Sequence, residues 1–254
     1  MKLDCVLTAC NDNPLYSEFI PIFIKTWNKL YPIVDVKIIY ISYSIPEHLQ
    51  EYNKNLILYK PESNISTAFI SQYIRLLYPA ILNYPNGILI TDMDILPMNK
   101  TYYTKNIEEY TDDKFIYLRD VCLGDKQIAM CYNVAINKTW SDIFDIKSLE
   151  DISTRLKNVY SNLQNGYHIW GTGWYTDQTD FYKYVMDWNK NTNNFIFISD
   201  NLTGISRLDR HESFSKNISD DLADKIKSGF FSDYHCLRPY SKYADINNEI
   251  YNLL

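Results

Sequence analysis

ILITDMDILP, residues 88–97, is the stretch on which the reading of this chain turns. Its continuous apolar start reads as a compact buried strand, and it runs straight into Asp92-Met93-Asp94. Two carboxylates are thus delivered at the carboxyl end of a strand, which is where open parallel sheets gather their ligands. Alternation along an extended chain predicts Asp92 and Asp94 on one side and Met93 toward the core. Adjacent carboxylates repel each other unless a cation lies between them. Hard divalent ions take oxygen ligands, commonly one or two carboxylates together with phosphate oxygens of a substrate. The pair therefore points to Mn²⁺ or Mg²⁺ as a cofactor.

Upstream, strand-like and helix-like patterns alternate. Residues 3–9, 36–42 and 56–59 read as strands, residues 14–30 as a helix, and residues 87–91 as the strand that ends in the acidic pair. A helix is predicted over 65–83, with Phe69, Tyr73, Leu76, Leu77 and Ala80 on its apolar face, Gln72 and Arg75 on another stripe, and Pro79 kinking or ending it. Such β-α-β-α-β alternation predicts an α/β fold with a mainly parallel central sheet and helices on both faces. Downstream the pattern loosens, with strands expected at 115–118, 128–136 and 195–199 and helices at 149–163 and 176–188. A single domain over 1–254 with an irregular carboxyl-terminal half accounts for this.

The chain of 254 residues is 46% hydrophobic and 22% charged, an ordinary globular composition, and carries a net charge of −6. No global cationic field is available to hold a polyphosphate backbone, so nucleic acid is not expected as a partner. An anionic ligand would need local help, such as a metal ion. Five cysteines, Cys5, Cys10, Cys122, Cys131 and Cys236, are scattered without a CxxC pair, which suggests free thiols in a reducing compartment. With no signal-like leader and no long apolar run, no membrane span is expected and a cytoplasmic location is.

Residues 166–185, GYHIWGTGWYTDQTDFYKYV, supply a second cluster. Gly171 and Gly173 flank Thr172 and allow a tight loop, while Trp170 and Trp174 offer flat apolar faces on which a ring could stack, and the four are the candidate binding residues of this loop. Asp177 and Gln178 precede a helix and set polar groups at its amino end.

The run 66–99, in which Gln72-Tyr73-Ile74-Arg75-Leu76-Leu77-Tyr78-Pro79 stands ahead of Asp92 and Asp94, resembles the core of the GT-A nucleotide-sugar glycosyltransferases. The likeness is greatest to the galactosyltransferase and glycogenin-like group and to small virus-encoded relatives. LTACNDNP, residues 7–14, is similar to the first strand and loop that receive the uridine of the donor. The resemblance implies a Rossmann-like GT-A domain whose residues 1–100 bind the nucleotide and whose residues 101–254 serve donor sugar and acceptor. It implies transfer of a sugar from a nucleotide donor, UDP-linked, to a hydroxyl of a glycan or other acceptor, with retention favoured, in a host cytoplasm or viral factory.

Residue by residue, the resemblance implies that Asp92 and Asp94 hold the metal, with Asp92 also near the ribose. Thr8, Ala9, Cys10 and Asn11 would line the nucleotide pocket, and Arg75 would reach the donor. Asp120 and Asn133 would hold donor-sugar hydroxyls, and Asp177, Gln178 and Asp180 would lie near the anomeric carbon. His235 would complete the metal shell, with His211 as its rival, and Arg238 would meet the diphosphate. An inverting enzyme would require Asp177 or Asp180 as base. Three competing readings follow from the same residues: a haloacid dehalogenase-type phosphatase, a sugar-phosphate nucleotidyltransferase, and a non-catalytic carbohydrate-binding protein.

Overall fold

The computed structural model describes residues 1–163, 166–168, 171–211 and 217–254. Its first strand, β1 (Leu3–Asn11), is buried along its length except at Asp4. That carboxylate accepts hydrogen bonds from the backbone and side chain of Asn86, at 3.0 and 3.1 Å, and so ties the strand to the turn leading into the acidic segment.

The expected helix over 14–30 is two helices, α1 (Pro14–Ser17) and α2 (Ile20–Leu30). Pro21 is the cause, since its ring would clash with the carbonyl four residues earlier in a continuous helix but is tolerated in the first turn of a new one. Strands β2 (Asp35–Ile41) and β3 (Leu56–Tyr59) follow, then α3 (Thr67–Leu77), which ends in a 3₁₀ turn at Tyr78–Ile81 where Pro79 removes a donor. Next come β4 (Gly87–Ile90), β5 (Ile95–Pro97), α4 (Tyr102–Lys105), β6 (Phe115–Tyr117), β7 (Asn133–Ala135), α5 (Asn137–Phe144), α6 (Leu149–Ser161) and α7 (Thr176–Thr192). The chain closes with β8 (Phe195–Phe197), α8 (Asp200–Thr203), β9 (Arg207–Asp209), α9 (Asp220–Lys227), β10 (Asp233–His235) and α10 (Ala244–Leu253).

A seven-stranded sheet runs in the order β3-β2-β1-β4-β7-β6-β8. All its pairings are parallel except those of β7, which lies antiparallel to β4 and β6. The expected mainly parallel sheet is present, with one reversed strand at its centre. The strand expected over 128–136 is only three residues long, because Tyr132 adopts φ 74°, a left-handed conformation that breaks an extended ladder.

A second, three-stranded sheet, β5-β10-β9, grows from the end of β4. β10 pairs antiparallel with β5 and parallel with β9, and the backbone N–H of Cys236 donates to the carbonyl of Asp94 at 2.8 Å. The chain leaves the main sheet through a turn in which Ile95 donates to the carbonyl of Asp92 at 3.2 Å. Asp92 and Asp94 are therefore turn residues, and the strand alternation expected for them gives way to a bend that still leaves Met93 buried.

Aromatic packing fixes the far side of the site. Phe181, one turn beyond Asp177 on α7, meets Phe115, Trp140 and Phe144 at ring-centroid distances of 5.6, 5.9 and 5.9 Å. Each such buried ring contributes about 1.5–3 kcal/mol, so the amino end of α7 is held firmly against β6 and α5. Among the described residues no helix is long and apolar enough to cross a membrane, and all five cysteines are free thiols.

Gly87 opens β4 where there is no room for a side chain. A Cβ there would come within 2.8 Å of the Lys2 carbonyl oxygen and 2.9 Å of Val134 Cγ1. Gly87→Ala is expected to destabilise the protein by about 1–3 kcal/mol through this overpacking. It should appear as a lower urea midpoint with an unchanged m value; an unchanged midpoint would show that the β4 entrance yields freely.

Candidate active site

At the carboxyl edge of β1 and β4 lies a cavity of about 380 Å³. Ala9, Cys10 and Asn11 from the end of β1 form one wall, with Asn13 and Tyr16 beyond them. Gln72 and Arg75 of α3 form the next wall, on the stripe that the periodicity assigns them. Asp92, Met93 and Asp94 lie at its centre, and Asp177 and Gln178 enter from the first turn of α7. Arg210, His211, His235 and Arg238 complete it from the second sheet and the segments that follow its strands.

Arg75 is buried and serves two carboxylates. Its Nη1 donates to the carbonyl of Thr91 at 3.2 Å and to Asp92 Oδ1 in a short contact, and its Nη2 lies 3.7 Å from Asp177 Oδ2. Burial raises the carboxyl pKa of Asp92, but the adjacent Arg75 charge prevails and holds it below the usual range. Asp177 has the opposite outcome. With 3% of its side chain exposed, burial outweighs Arg75 and pushes its pKa up to about 7.

Asp94 is buried as well, and its Oδ2 lies 2.7 Å from Arg210 Nη2, 3.2 Å from Arg238 Nη1 and 3.8 Å from His235 Nε2. His235 Nδ1 lies 3.1 Å from Asp209 Oδ2 and 3.3 Å from Arg210 Nε, and these two contacts fix the ring with its Nε2 edge toward Asp94. Burial lowers the His235 pKa, with Arg210 acting in the same direction and Asp94 opposing both.

Most of the residues singled out by sequence meet here. Ala9, Cys10, Asn11, Arg75, Asp92, Asp94, Trp174, Asp177, Gln178, His211, His235 and Arg238 all line the cavity. Thr8 lies behind it, fully buried in β1. Asp180 is turned away and accepts a hydrogen bond from the Tyr73 hydroxyl at 2.7 Å. Asp120 is exposed beyond the end of β6 and lies outside the cavity lining. Asn133 is also behind the wall, where its amide donates to the carbonyls of Ala129 and Cys131 at 2.7 and 3.1 Å and holds that lining segment in shape. Gly171 and Gly173 shape the neighbouring loop without lining the cavity; Gly173 has φ 74°, and a Cβ on it would meet the Gly166 carbonyl at 2.9 Å. Trp170 lies outside the described residues.

Sequence reasoning passed over Tyr16, which accepts a hydrogen bond from Arg238 Nη1 at 2.8 Å and lies beneath its guanidinium. Arg210 adjoins His211 in a segment whose arginines are expected from sequence to neutralise a departing diphosphate, and it lines the cavity. Among the described residues no three acidic, imidazole or thiol groups form a ready-made metal site. The chemistry of the donor set suits a hard divalent ion, since the carboxylates of Asp92 and Asp94 and the imidazole of His235 border one space.

Comparison with solved structures identifies the architecture. The chain aligns with an active-site mutant of LgtC at a TM-score of 0.52 and 12% identity, over 98% of this chain and 95% of that one. It aligns with the galactosyltransferase LgtC in complex with donor and acceptor sugar analogues at 0.51 and 12%, over 98% and 96%. The glycosyltransferase GlyE of Streptococcus pneumoniae TIGR4 gives 0.52 and 14%, over 99% of this chain and 63% of that one. No protein-family profile and no curated protein matches the sequence. The chain has the GT-A-like fold of these glycosyltransferases.

Proposed function

We propose that this chain, built on a GT-A-like fold, is a glycosyltransferase that moves a sugar from a UDP-linked donor to an acceptor hydroxyl with the help of Mn²⁺ or Mg²⁺. One observation carries the reading: the carboxylates Asp92 and Asp94 share a single cavity with the guanidinium groups of Arg75, Arg210 and Arg238. A cation alone calls for no arginines, and a phosphate alone calls for no carboxylates. A diphosphate carrying a divalent ion calls for both.

Asp92, Asp94 and His235 Nε2 would hold the ion, which when bound supplies Lewis-acid stabilisation of the charge that builds on the leaving diphosphate. Arg238 would meet that diphosphate, and Ala9, Cys10 and Asn11 would border the nucleotide. Retention of configuration is the outcome the family resemblance favours; Asp177, whose pKa burial raises to about 7, is the carboxylate that would serve as base in an inverting reaction. Trp174, stacked on Tyr167 with centroids 6.2 Å apart, offers a flat face to an acceptor glycan.

Calorimetry tests this directly. UDP is expected to bind at least about tenfold more tightly with Mn²⁺ than in chelator, as carboxylates and diphosphate oxygens share the ion. Equal affinity in both buffers would refute the metal-dependent reading. Sugar binding without any UDP binding would favour a carbohydrate-binding protein, and phosphate release from monoesters would favour a phosphatase.

A further inference from the structure

Asp94 Oδ2 has more positive charge around it than one carboxylate neutralises. Arg210 Nη2 and Arg238 Nη1 are both within hydrogen-bonding distance of this oxygen, at 2.7 and 3.2 Å. Arg210 arrives there through strand register: β9 pairs with β10 so that Asp209 stands opposite His235, and the next residue reaches over Asp94. Its Nε approaches His235 Nδ1 at 3.3 Å, and its Nη1 is buried with no hydrogen-bond partner among the described residues. A buried donor without an acceptor needs an explanation, and an incoming anion supplies one.

A divalent ion and two guanidinium groups cannot share one carboxylate oxygen without like charges meeting at close range. Phosphate oxygens, in contrast, accept the planar guanidinium fork readily. We infer that Arg210 and Arg238 compete with the divalent ion for Asp94, and that a diphosphate draws them off the carboxylate, so that cation and diphosphate bind with positive coupling. The inference rests on the metal and diphosphate reading above and adds to it the residues that make each ligand depend on the other. By linkage, whatever factor the anion adds to cation affinity the cation adds to anion affinity.

The test titrates metal-free wild type, Arg210→Met and Arg238→Met with MnCl₂ alone, following heat and the paramagnetic signal of free Mn²⁺. Each variant is expected to bind Mn²⁺ at least about five-fold more tightly than wild type, and saturating UDP should then tighten Mn²⁺ binding by a factor at least about five-fold smaller than in wild type. Both measurements are repeated at about 0.15 M and about 0.5 M KCl, because salt screens a distant charge but not a direct pair. Unchanged or weaker Mn²⁺ affinity overturns the inference, and so does a gain that disappears at the higher salt. The two variants alter separate segments, so if one fails to fold the other decides. Failure of wild type to bind UDP would refute the nucleotide reading, whereas the titration with Mn²⁺ alone still judges the competition at Asp94.

Discussion

Asp94→Asn is expected to cut release of UDP from a UDP-sugar at least about 100-fold at saturating Mn²⁺, since loss of a residue that merely orients a metal ligand commonly costs about 10–100-fold and Asp94 would be a direct ligand. The substitution preserves shape and one amide oxygen, so Arg210 keeps an acceptor. The negative charge is what disappears, and with it the attraction for a hard cation. Two guanidinium groups then face a neutral amide, which should lower stability by about 1–3 kcal/mol. Rates are therefore compared below the melting point of the variant, with far-ultraviolet circular dichroism confirming the fold. Wild-type turnover by Asp94→Asn at any Mn²⁺ concentration would remove Asp94 from the metal site. Asp92→Asn is a useful companion, because Asp92 is already committed to Arg75 and about a third of its side chain, 34%, is exposed.

The parts of this site that were legible in sequence are those governed by short-range rules. β1, β4 and the acidic pair announce themselves because a fully buried parallel strand must be a continuous apolar run, and a carboxylate pair ends that run abruptly. Gln72 and Arg75 could be assigned to one stripe of α3 because three-residue spacing alone brings them together. The same rule fails for Asp177 and Asp180, which share that spacing on α7. Only the packing of Phe181 and the hydroxyl of Tyr73 decide that Asp177 enters the cavity and Asp180 does not. The place of Arg210 over Asp94 was beyond local reasoning, because it depends on three-residue strands, with β10 pairing β5 across more than a hundred residues and β9 beside it. So was the reversal of β7, since antiparallel and parallel strands of that length carry the same apolar pattern.

Arg75→Met should destabilise the protein by about 3–5 kcal/mol at pH 9, the usual cost of stranding the partner of a buried charge, and by less at pH 5. The difference lies in Asp177. Burial raises its folded-state pKa to about 7, above the ordinary carboxylate value. In wild type the folded state therefore holds a proton that the unfolded state has released between about pH 4 and pH 7. Stability from this group is complete below that window and is lost as pH rises through it. Arg75 is the charge that limits the rise, with its Nη2 at 3.7 Å from Asp177 Oδ2. Without it the folded-state pKa climbs further, and the loss of stability continues to higher pH. Below about pH 6 Asp177 is protonated in both folded proteins and contributes nothing to their difference. What remains there is the loss of Arg75 from Asp92 and from the Thr91 carbonyl. Urea denaturation at the two pH values measures both costs, and Asp177→Asn in the Arg75→Met background should reduce the excess at pH 9, the remainder coming from Asp92, whose burial Arg75 also offsets. A cost equal at pH 5 and pH 9 would mean that Arg75 does not shift the titration of Asp177 and acts on Asp92 alone.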